Sequence, residues 1–247
     1  MKRVAVFCVT YNSDKELEQY EASLQKAAEK AKGDVELDIF TARNTKEDNP
    51  GYFGGIRRQM EKVDVEKYDY CVLSNVDLTV DEDFLVRLAA YNCKENTGWI
   101  APQIWSQLEG RDRNPGRMER PSLRKLRMLS TCYRYPVLDT LYSRTFYRRK
   151  KYQSHPAGQI YAGHGSFIIL TRRYFERCGK IDYPMFLFCE EIFLAENCRK
   201  AGLTVEYVPT LRINDSEHVS IGKMPHDIYC RYNYEAVQYI IKTFFQG

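Results

Sequence analysis

The stretch Tyr70-Cys71-Val72-Leu73-Ser74-Asn75-Val76-Asp77 decides the fold. Its first four residues form an apolar run typical of a buried β-strand, and the polar residues that follow mark the end of that strand. An acidic residue just past a buried strand, beside a second short polar side chain, suits a divalent cation that also holds phosphate oxygens. Because Asn and Asp also favour turns, a plain strand-to-helix turn is the alternative interpretation. Asn75 and Asp77 are therefore candidate ligand-binding residues.

The beginning of the chain repeats this pattern. The apolar run Lys2–Val9 predicts a first buried strand, which ends at Thr10-Tyr11-Asn12. An S-x-x-E capping box at Ser13 then predicts a helix that ends at Gly33. Val35–Phe40 alternates between apolar and polar residues and predicts a second strand.

The alternation continues through the next 60 residues. The turn Asn49-Pro50-Gly51 leads into a helix, a second capping box at Thr79 predicts another helix, and Trp99–Pro102 predicts a fourth strand. Strands that alternate with helices predict an α/β fold with a mostly parallel sheet flanked by helices. Ligands of such sheets bind beyond the carboxyl ends of the strands, so we expect Thr10–Asn12 and Asn75–Asp77 to share one rim.

Length and composition predict one domain. The chain has 247 residues, of which 44% are hydrophobic, enough for one sizeable core. We expect two halves, 1–104 and 158–247, separated by an insertion at 105–157, with an amphipathic helix near the C-terminus. No apolar stretch approaches the ~20 residues that span a bilayer. The first residues lack the cleavage site of a signal peptide, so the protein is predicted to be cytosolic.

The eight cysteines predict a reducing compartment rather than a bound metal. None of them forms a C-x-x-C pair, so their spacing gives no indication of a structural zinc site. Several lie inside apolar runs, as Cys71 does, and are predicted to be small buried hydrophobes.

The insertion is strongly basic. Residues 111–151 contain 13 Lys and Arg against three acidic residues, a balance of +10 in a chain whose net charge is +4, so the remainder carries −6. Such a segment either faces an anionic partner or is a solvated face of unusual charge. Tyr133, Tyr135, Phe146 and Tyr147 lie among these charges, as aromatic side chains do at a membrane interface.

Two adjacent carboxylates are the candidates for acid–base chemistry. Glu190 and Glu191 follow the aromatic run Phe186–Cys189 and begin a predicted helix. Acidic residues in a first helical turn also offset the helix dipole, which is the ordinary explanation for such a pair. Helical periodicity places Glu191 on the same face as Leu194 and predicts that it points inward. The histidines, among them His164 and His218, are by residue type more often surface residues than ligands.

Several segments, taken in order, resemble the family 2 glycosyltransferases, especially the bacterial rhamnosyltransferase-like branch. The resemblance covers roughly residues 3–104 and 158–245. The matching segments are Val9–Asn12, Asn49–Gly55, Leu73–Asp77, Gly165–Arg173 and Gly179–Glu191, followed by Gly202, Pro209 and His218. Each motif alone is weak, and their order and spacing carry the signal.

The resemblance implies a GT-A fold, a nucleotide-sugar donor, a Mg²⁺ or Mn²⁺ ion and an inverting reaction. It assigns the general base to Glu191, beside Glu190, and the metal to Asp77 with His218. The donor pocket is then expected to be lined by Thr10, Tyr11, Asn12, Asn44, Gly51, Gly54 and Asn75.

The sequence departs from the family pattern at four points. Asn75 replaces the first acidic residue of the D-x-D element, and Glu191 replaces an aspartate. Phe193 stands where an acidic residue is frequent, and Thr41–Thr45 has no aspartate for the nucleotide base. The identity of the donor nucleotide is therefore not predicted.

The expected partners follow from both the resemblance and the charge. We expect a nucleotide-sugar donor and a saccharide or lipid-diphosphate-linked acceptor, in the synthesis of cell-surface polysaccharide. The basic segment 111–151 predicts peripheral binding to an anionic surface on the inner face of the cell membrane.

Two other function classes compete with this interpretation. A nucleotidyltransferase would have a glycine-rich basic loop after the first strand, where this chain has Thr10–Asp14. A non-catalytic nucleic-acid-binding protein could use the basic insertion, but this function would leave Asp77 and Glu191 unexplained, so no nucleic-acid partner is expected.

Overall fold

The computed structural model describes residues 1–145, 154–215 and 224–246. These form nine strands: β1 (Lys2–Tyr11), β2 (Val35–Asn44), β3 (Tyr70–Asn75), β4 (Leu78–Val80), β5 (Thr97–Ser106), β6 (Arg111–Asp112), β7 (Gly158–Ile160), β8 (Phe167–Thr171) and β9 (Thr204–Asp215). The same residues form eight α-helices: α1 (Asp14–Lys30), α2 (Tyr52–Met60), α3 (Phe84–Ala90), α4 (Leu123–Arg134), α5 (Pro136–Thr145), α6 (Arg172–Cys178), α7 (Glu190–Lys200) and α8 (His226–Ile240). A π-helical turn, Ile241–Phe245, continues α8.

All nine strands belong to one sheet. Its order is β2-β1-β3-β8-β5-β9-β4, with β6 paired to β5 and β7 paired to β9. The α/β class and the helices that flank the sheet are confirmed, as are the parallel pairs that β1 makes with β2 and β3.

The sheet is mixed rather than mostly parallel. β5 and β9 form a third parallel pair, but β8 is antiparallel to both of its neighbours, β3 and β5, and β4 is antiparallel to β9. β4 follows β3 after only two residues, yet it pairs with β9 at the end of the sheet and not with β3. The predicted parallel arrangement therefore holds for β2, β1 and β3 and for the β5–β9 pair.

Side chains of the sheet alternate between two hydrophobic clusters, one on each face. On β1, Val4, Val6 and Cys8 face the cluster formed with α1 and α3, whereas Ala5 and Phe7 face the cluster formed with α2, α6, α7 and α8. This alternation is the period of two that a strand covered on both faces requires.

Neither predicted capping box forms. Ser13 is the N-cap of α1, but its hydroxyl donates to the carbonyl of Tyr11 at 3.2 Å instead of accepting from the helix. Thr79 lies in β4, where it pairs with Asn214, and the next helix begins four residues after Val80. Strand pairing therefore takes the residues that the local pattern assigned to a cap.

The insertion is helical, as expected, but its two helices are packed very differently. Leu126 and Ser130 of α4 are buried, and α4 packs along α8. α5 buries no residue, and Val137 and Leu141 on its surface are exposed. Packing within the described chain therefore stabilises α4 much more than α5.

No helix in the described part of the chain combines the length and the apolar character that crossing a membrane requires.

A buried carboxylate ties the insertion to α7. Glu196 has no exposed surface and accepts from Arg120 at 2.6 and 3.0 Å, from Tyr161 at 2.8 Å and from Arg199 at 3.0 Å. Burial alone would raise the pKa of Glu196, but hydrogen bonds from these three side chains outweigh it and lower the pKa. Arg120 also lies 3.9 Å from the ring centre of Phe245.

We predict that Glu196→Gln lowers the free energy of unfolding by about 1–3 kcal/mol at pH 7, because an amide cannot accept charge-assisted bonds on both of its heteroatoms. A carboxyl whose pKa is lowered by folding stabilises the fold above its unfolded pKa, and that contribution is lost as pH falls through the folded value. The difference between wild type and variant should therefore shrink below about pH 4. Urea unfolding across this range measures it, and Glu235→Gln, at an exposed position of α8, is the control. An equal loss in both variants would contradict the prediction.

Candidate functional site

The parallel strands bring the predicted residues to one rim. In the register of the sheet, Tyr11 lies opposite Asn44 and Val9 lies opposite Asn75. Thr10, Tyr11, Asn44 and Asn75 therefore lie near the carboxyl ends of three adjacent strands, as the sequence predicted. Asn12 follows β1 with a left-handed φ of 55°, and Asp77 lies two residues beyond β3.

Thr10 is the rim residue whose environment points most directly to a ligand. Only 4% of the residue is exposed, and its Oγ1 has no hydrogen-bond partner within residues 1–145, 154–215 and 224–246. An unsatisfied buried hydroxyl costs about 1–3 kcal/mol, so a group from outside the chain would stabilise this position.

The loop after β2 is held by its own amides. Asn44 Nδ2 donates to Asn49 Oδ1 at 3.0 Å and to the carbonyl of Gly51 at 3.2 Å, and the amide of Gly51 donates back to Asn49 Oδ1 at 3.1 Å. This loop is the N-terminal boundary of α2, so the small network fixes where the helix begins.

Gly51 is required by a backbone contact inside the chain. Its φ is +82°, and a Cβ at this position would lie 2.1 Å from the carbonyl oxygen of Phe186. A Cβ on Gly54 would lie 2.8 Å from Pro50 Cβ. The close approaches that these glycines permit are therefore to Phe186 and Pro50, and their contact with a nucleotide stays a prediction.

Tyr52 links the rim to the second half of the chain. Its hydroxyl donates to the carbonyl of Gly165 at 3.0 Å, and its backbone amide donates to that of Phe186 at 3.3 Å. Burial, followed by the negative charges of Glu190 and Asp77, raises the pKa of Tyr52 far above its usual range. Tyr52 thus lies between the two halves of the chain, within electrostatic range of Glu190 and Asp77.

The turn before α7 has a strained backbone and fixes where the two glutamates begin the helix. Phe188 and Cys189 have φ values of 73° and 62°, a backbone conformation that residues other than glycine rarely adopt. The Tyr183 hydroxyl donates a hydrogen bond to the Phe188 carbonyl at 2.5 Å. Such strain costs about 1–3 kcal/mol per residue and is concentrated at functional sites. It places Glu190 and Glu191 at the first two positions of the helix.

The two glutamates differ in environment. Glu190 is buried, whereas Glu191 is partly exposed and its Oε2 would lie 3.8 Å from a Cβ on Gly165. Burial, with the charge of Glu191 second, raises the pKa of Glu190 to about 8. Leu194, which the periodicity places on the helix face of Glu191, is buried, and Glu191 at the start of that face lies beside Gly165.

His164 is a neighbour of the site, although residue type alone favours a surface position for it. Its Nδ1 lies 2.9 Å from Ser166 Oγ, and the carbonyl of Ser166 accepts from the amide of Asn75 at 2.9 Å. Burial lowers the pKa of His164 to about 4, with the charge of Arg113 acting in the same direction. The ring is therefore neutral at pH 7. It is connected through Ser166 to Asn75, the last residue of β3. The Gly163-His164-Gly165 pattern was the signal for it.

One predicted metal ligand cannot be placed. His218 lies outside the described residues, as do Arg148–Lys151 of the basic insertion. The structure therefore brings Asp77 to the rim beside Asn75, and His218, the other expected metal ligand, stays a prediction.

Comparison with solved structures shows which fold this rim belongs to. The chain is similar to GalNAc-T7, solved with UDP, GalNAc and Mn²⁺, at a TM-score of 0.61 and 13% identity over 98% of this chain. It is also similar to TarS of S. aureus, at a TM-score of 0.55 and 13% identity over the whole chain, and to its fragment 1–349, at 0.53 and 12%. It spans 48% of the GalNAc-T7 chain and 41% of the TarS chain.

The sequence itself matches no protein-family profile and no curated protein. The structural neighbours are GT-A glycosyltransferases. At this level of identity they show the fold alone, and the predicted GT-A fold is confirmed.

We predict that Glu190→Gln removes a pH dependence of stability. A buried carboxyl whose pKa is raised to about 8 keeps its proton in the fold at pH values where the unfolded chain has lost it. Wild-type stability should therefore fall as pH rises from about 4.5 to 8, by at most ~1.4 kcal/mol per pH unit. Urea unfolding at intervals across this range should show that slope in wild type and a flatter profile in the variant. Parallel profiles would contradict the burial of a titrating Glu190.

Proposed function

We propose that the protein is a metal-dependent glycosyltransferase that moves a sugar from a nucleoside-diphosphate sugar to an acceptor hydroxyl. The observation that carries this proposal is the pairing, within a GT-A fold, of a strand-end rim bearing Asp77 with the carboxylates that begin α7, on two parts of the chain that the hydrogen bonds of Tyr52 to Gly165 and Phe186 join. The neighbour GalNAc-T7 was solved with UDP, GalNAc and Mn²⁺, a ligand set of the same class.

The rim residues fit a hard divalent cation. Asp77 offers a carboxylate and Asn75 an amide oxygen, the ligand types that Mg²⁺ and Mn²⁺ prefer. The cation, when bound, would neutralise charge that develops on the leaving diphosphate. Since Asn75 is uncharged, Asp77 supplies the negative charge of the pair. His218 is the further ligand that the family 2 resemblance implies.

Thr10 and its neighbours suit the donor. Thr10, Tyr11 and Asn44 lie at the ends of two adjacent parallel strands, and Asn12 follows directly, so these residues are proposed to line the nucleotide pocket. Nucleotides bind α/β sheets at such carboxyl ends. Gly51 is the N-cap of α2 and Gly54 lies in its first turn, so both adjoin the rim at the loop after β2 and are proposed to border the donor pocket.

Glu191 is the better candidate for the general base. A base must be ionised at the working pH, and Glu190, with a pKa near 8, holds its proton most of the time at pH 7. Glu191 is partly exposed and faces Gly165, where an acceptor can reach it. In the proposed step Glu191 takes the proton of the acceptor hydroxyl, the acceptor oxygen bonds to the anomeric carbon, and the diphosphate leaves from the opposite face. This single displacement inverts the configuration.

The acceptor proposal rests on the basic insertion. Three basic side chains of the insertion form ion pairs within the protein. Arg111 pairs with Glu109, Arg113 with Asp215 and Arg120 with Glu196. Arg124, Lys125 and Arg127 on α4 remain for an anionic partner. We extend the proposal to a lipid-diphosphate-linked saccharide acceptor at an anionic membrane surface, in polysaccharide synthesis, as in the rhamnosyltransferase-like branch of family 2.

We predict that Glu191→Gln lowers turnover by about 10²-fold or more while donor binding persists, because the amide cannot accept the proton. Glu190→Gln is the matched control and should cost much less, since an amide resembles the protonated acid that Glu190 already is. Release of nucleoside diphosphate from a panel of UDP-, GDP- and dTDP-sugars with Mn²⁺ measures turnover. Release of pyrophosphate from nucleoside triphosphates instead would indicate a nucleotidyltransferase. Near-normal turnover of Glu191→Gln would overturn the assignment of the base.

We predict that Asp77→Ala abolishes the Mn²⁺-dependent part of nucleoside diphosphate binding, because the remaining rim ligand is neutral. Calorimetry with UDP, GDP and dTDP, each with and without Mn²⁺, measures this part. Glu82→Ala, an exposed acid five residues along the chain, is the control and should bind as wild type does. Unchanged Mn²⁺ dependence in Asp77→Ala would mean that Asn75–Asp77 is only a turn.

A further inference from the structure

Helices α5 and α8 bring together three side chains that could bind a metal, and none of the three is a rim residue. Asp139 of α5 lies against the first turn of α8, where His226 and Cys230 are separated by four residues and so share one helix face. His226 Nε2 lies 3.0 Å from Asp139 Oδ2 and 3.5 Å from Cys230 Sγ, and the sulfur lies 3.8 Å from the same carboxylate oxygen.

These separations match the edges of a metal coordination shell. Bond lengths of about 2.0–2.3 Å at tetrahedral angles place neighbouring ligand atoms about 3.2–3.7 Å apart. The three observed distances of 3.0, 3.5 and 3.8 Å bracket that range. A hydrogen bond between His226 and Asp139 would need only two of these atoms, whereas here the thiol sulfur lies near both of the others.

The packing of α5 gives a second, independent reason for a link at this point. α5 buries no residue, so burial of apolar surface contributes little to holding it. Its contact with α8 nevertheless contains a buried cysteine and a carboxylate whose side chain is 15% exposed. Binding of a metal between helices supplies folding free energy directly and can replace a missing core.

We propose that Asp139, His226 and Cys230 bind a Zn²⁺ ion that fastens the basic insertion to α8. The set of one carboxylate, one imidazole and one thiolate suits Zn²⁺, whereas Mg²⁺ and Mn²⁺ prefer the all-oxygen ligands of the rim. Three protein ligands leave a fourth position, and the imidazole of His226, about half exposed, borders the solvent that would fill it. Binding displaces the thiol proton of Cys230 to solvent.

The surroundings of His226 and Cys230 are also compatible with a bound ion. The ring of Tyr229 lies nearly parallel to that of His226, at an angle of 14°, and limits the orientations of the imidazole. Cys230 has no exposed surface, and its sulfur lies beside the carboxylate of Asp139, so the thiol is shielded from bulk solvent at the cluster.

The test uses the whole chain, purified without metal and titrated with Co²⁺ and then Zn²⁺. We expect one equivalent of Co²⁺ to give the sulfur-to-cobalt absorption of a thiolate complex, and Zn²⁺ to displace it. Cys230→Ser should lose this absorption, whereas Cys178→Ser, which removes a cysteine outside the cluster, should keep it. Asp77→Ala should keep it too, because the rim has no sulfur ligand, so failure here and failure of the proposed glycosyltransferase activity are distinguishable.

Two further variants protect the test from a folding defect in Cys230→Ser. His226→Gln and Asp139→Asn change side chains that solvent reaches, and each should weaken Zn²⁺ binding by more than the ~10–100-fold that outer-shell partners contribute. Zn²⁺ should also raise the melting temperature of wild type and not of these variants. Absence of the thiolate absorption in wild type, or its persistence in Cys230→Ser, would overturn the proposal.

Discussion

The contact between Gly51 and the backbone carbonyl of Phe186 determines how the two halves of the chain meet. Gly51 begins α2 on the side of the rim strands, and Phe186 precedes the turn that begins α7. Any side chain at position 51 would collide with that carbonyl at 2.1 Å, so the approach exists only with glycine. The same carbonyl accepts from the amide of Tyr52, and the contact therefore holds both helix N-termini against each other.

The chemistry of the candidate site follows from this arrangement. Two adjacent carboxylates begin α7, and the fold gives them different solvent access. Glu190 is buried and keeps its proton, while Glu191 faces the space beside Gly165. A strained turn at Phe188 and Cys189 maintains the difference, since relaxing either φ would rotate the first turn of the helix. One local distortion thus separates two residues that are chemically identical.

Features encoded by local pattern were predictable from the sequence, and those created by distant contacts were not. The strands β1 and β3, their polar ends and the rim they form follow from short apolar runs that stop abruptly. The antiparallel direction of β8 was not predicted, because it depends on the path of the chain between β5 and β8, which has no local signature. The cluster of Asp139, His226 and Cys230 was missed for a related reason. Metal-binding motifs are recognised in a sequence by ligands that lie close together along the chain. Asp139 lies 87 positions from His226, so no such motif includes both.

The two hydrophobic clusters on opposite faces of the sheet have a consequence for how this fold tolerates sequence change. The clusters have no residue in common, and the backbone of the sheet separates them. Free-energy effects of substitutions in distant clusters without shared partners add almost independently. Substitutions around α1 and α3 can therefore accumulate with little effect on those around α7, whereas residues joined across the site, such as Tyr52 with Gly165 and Phe186, are expected to change together.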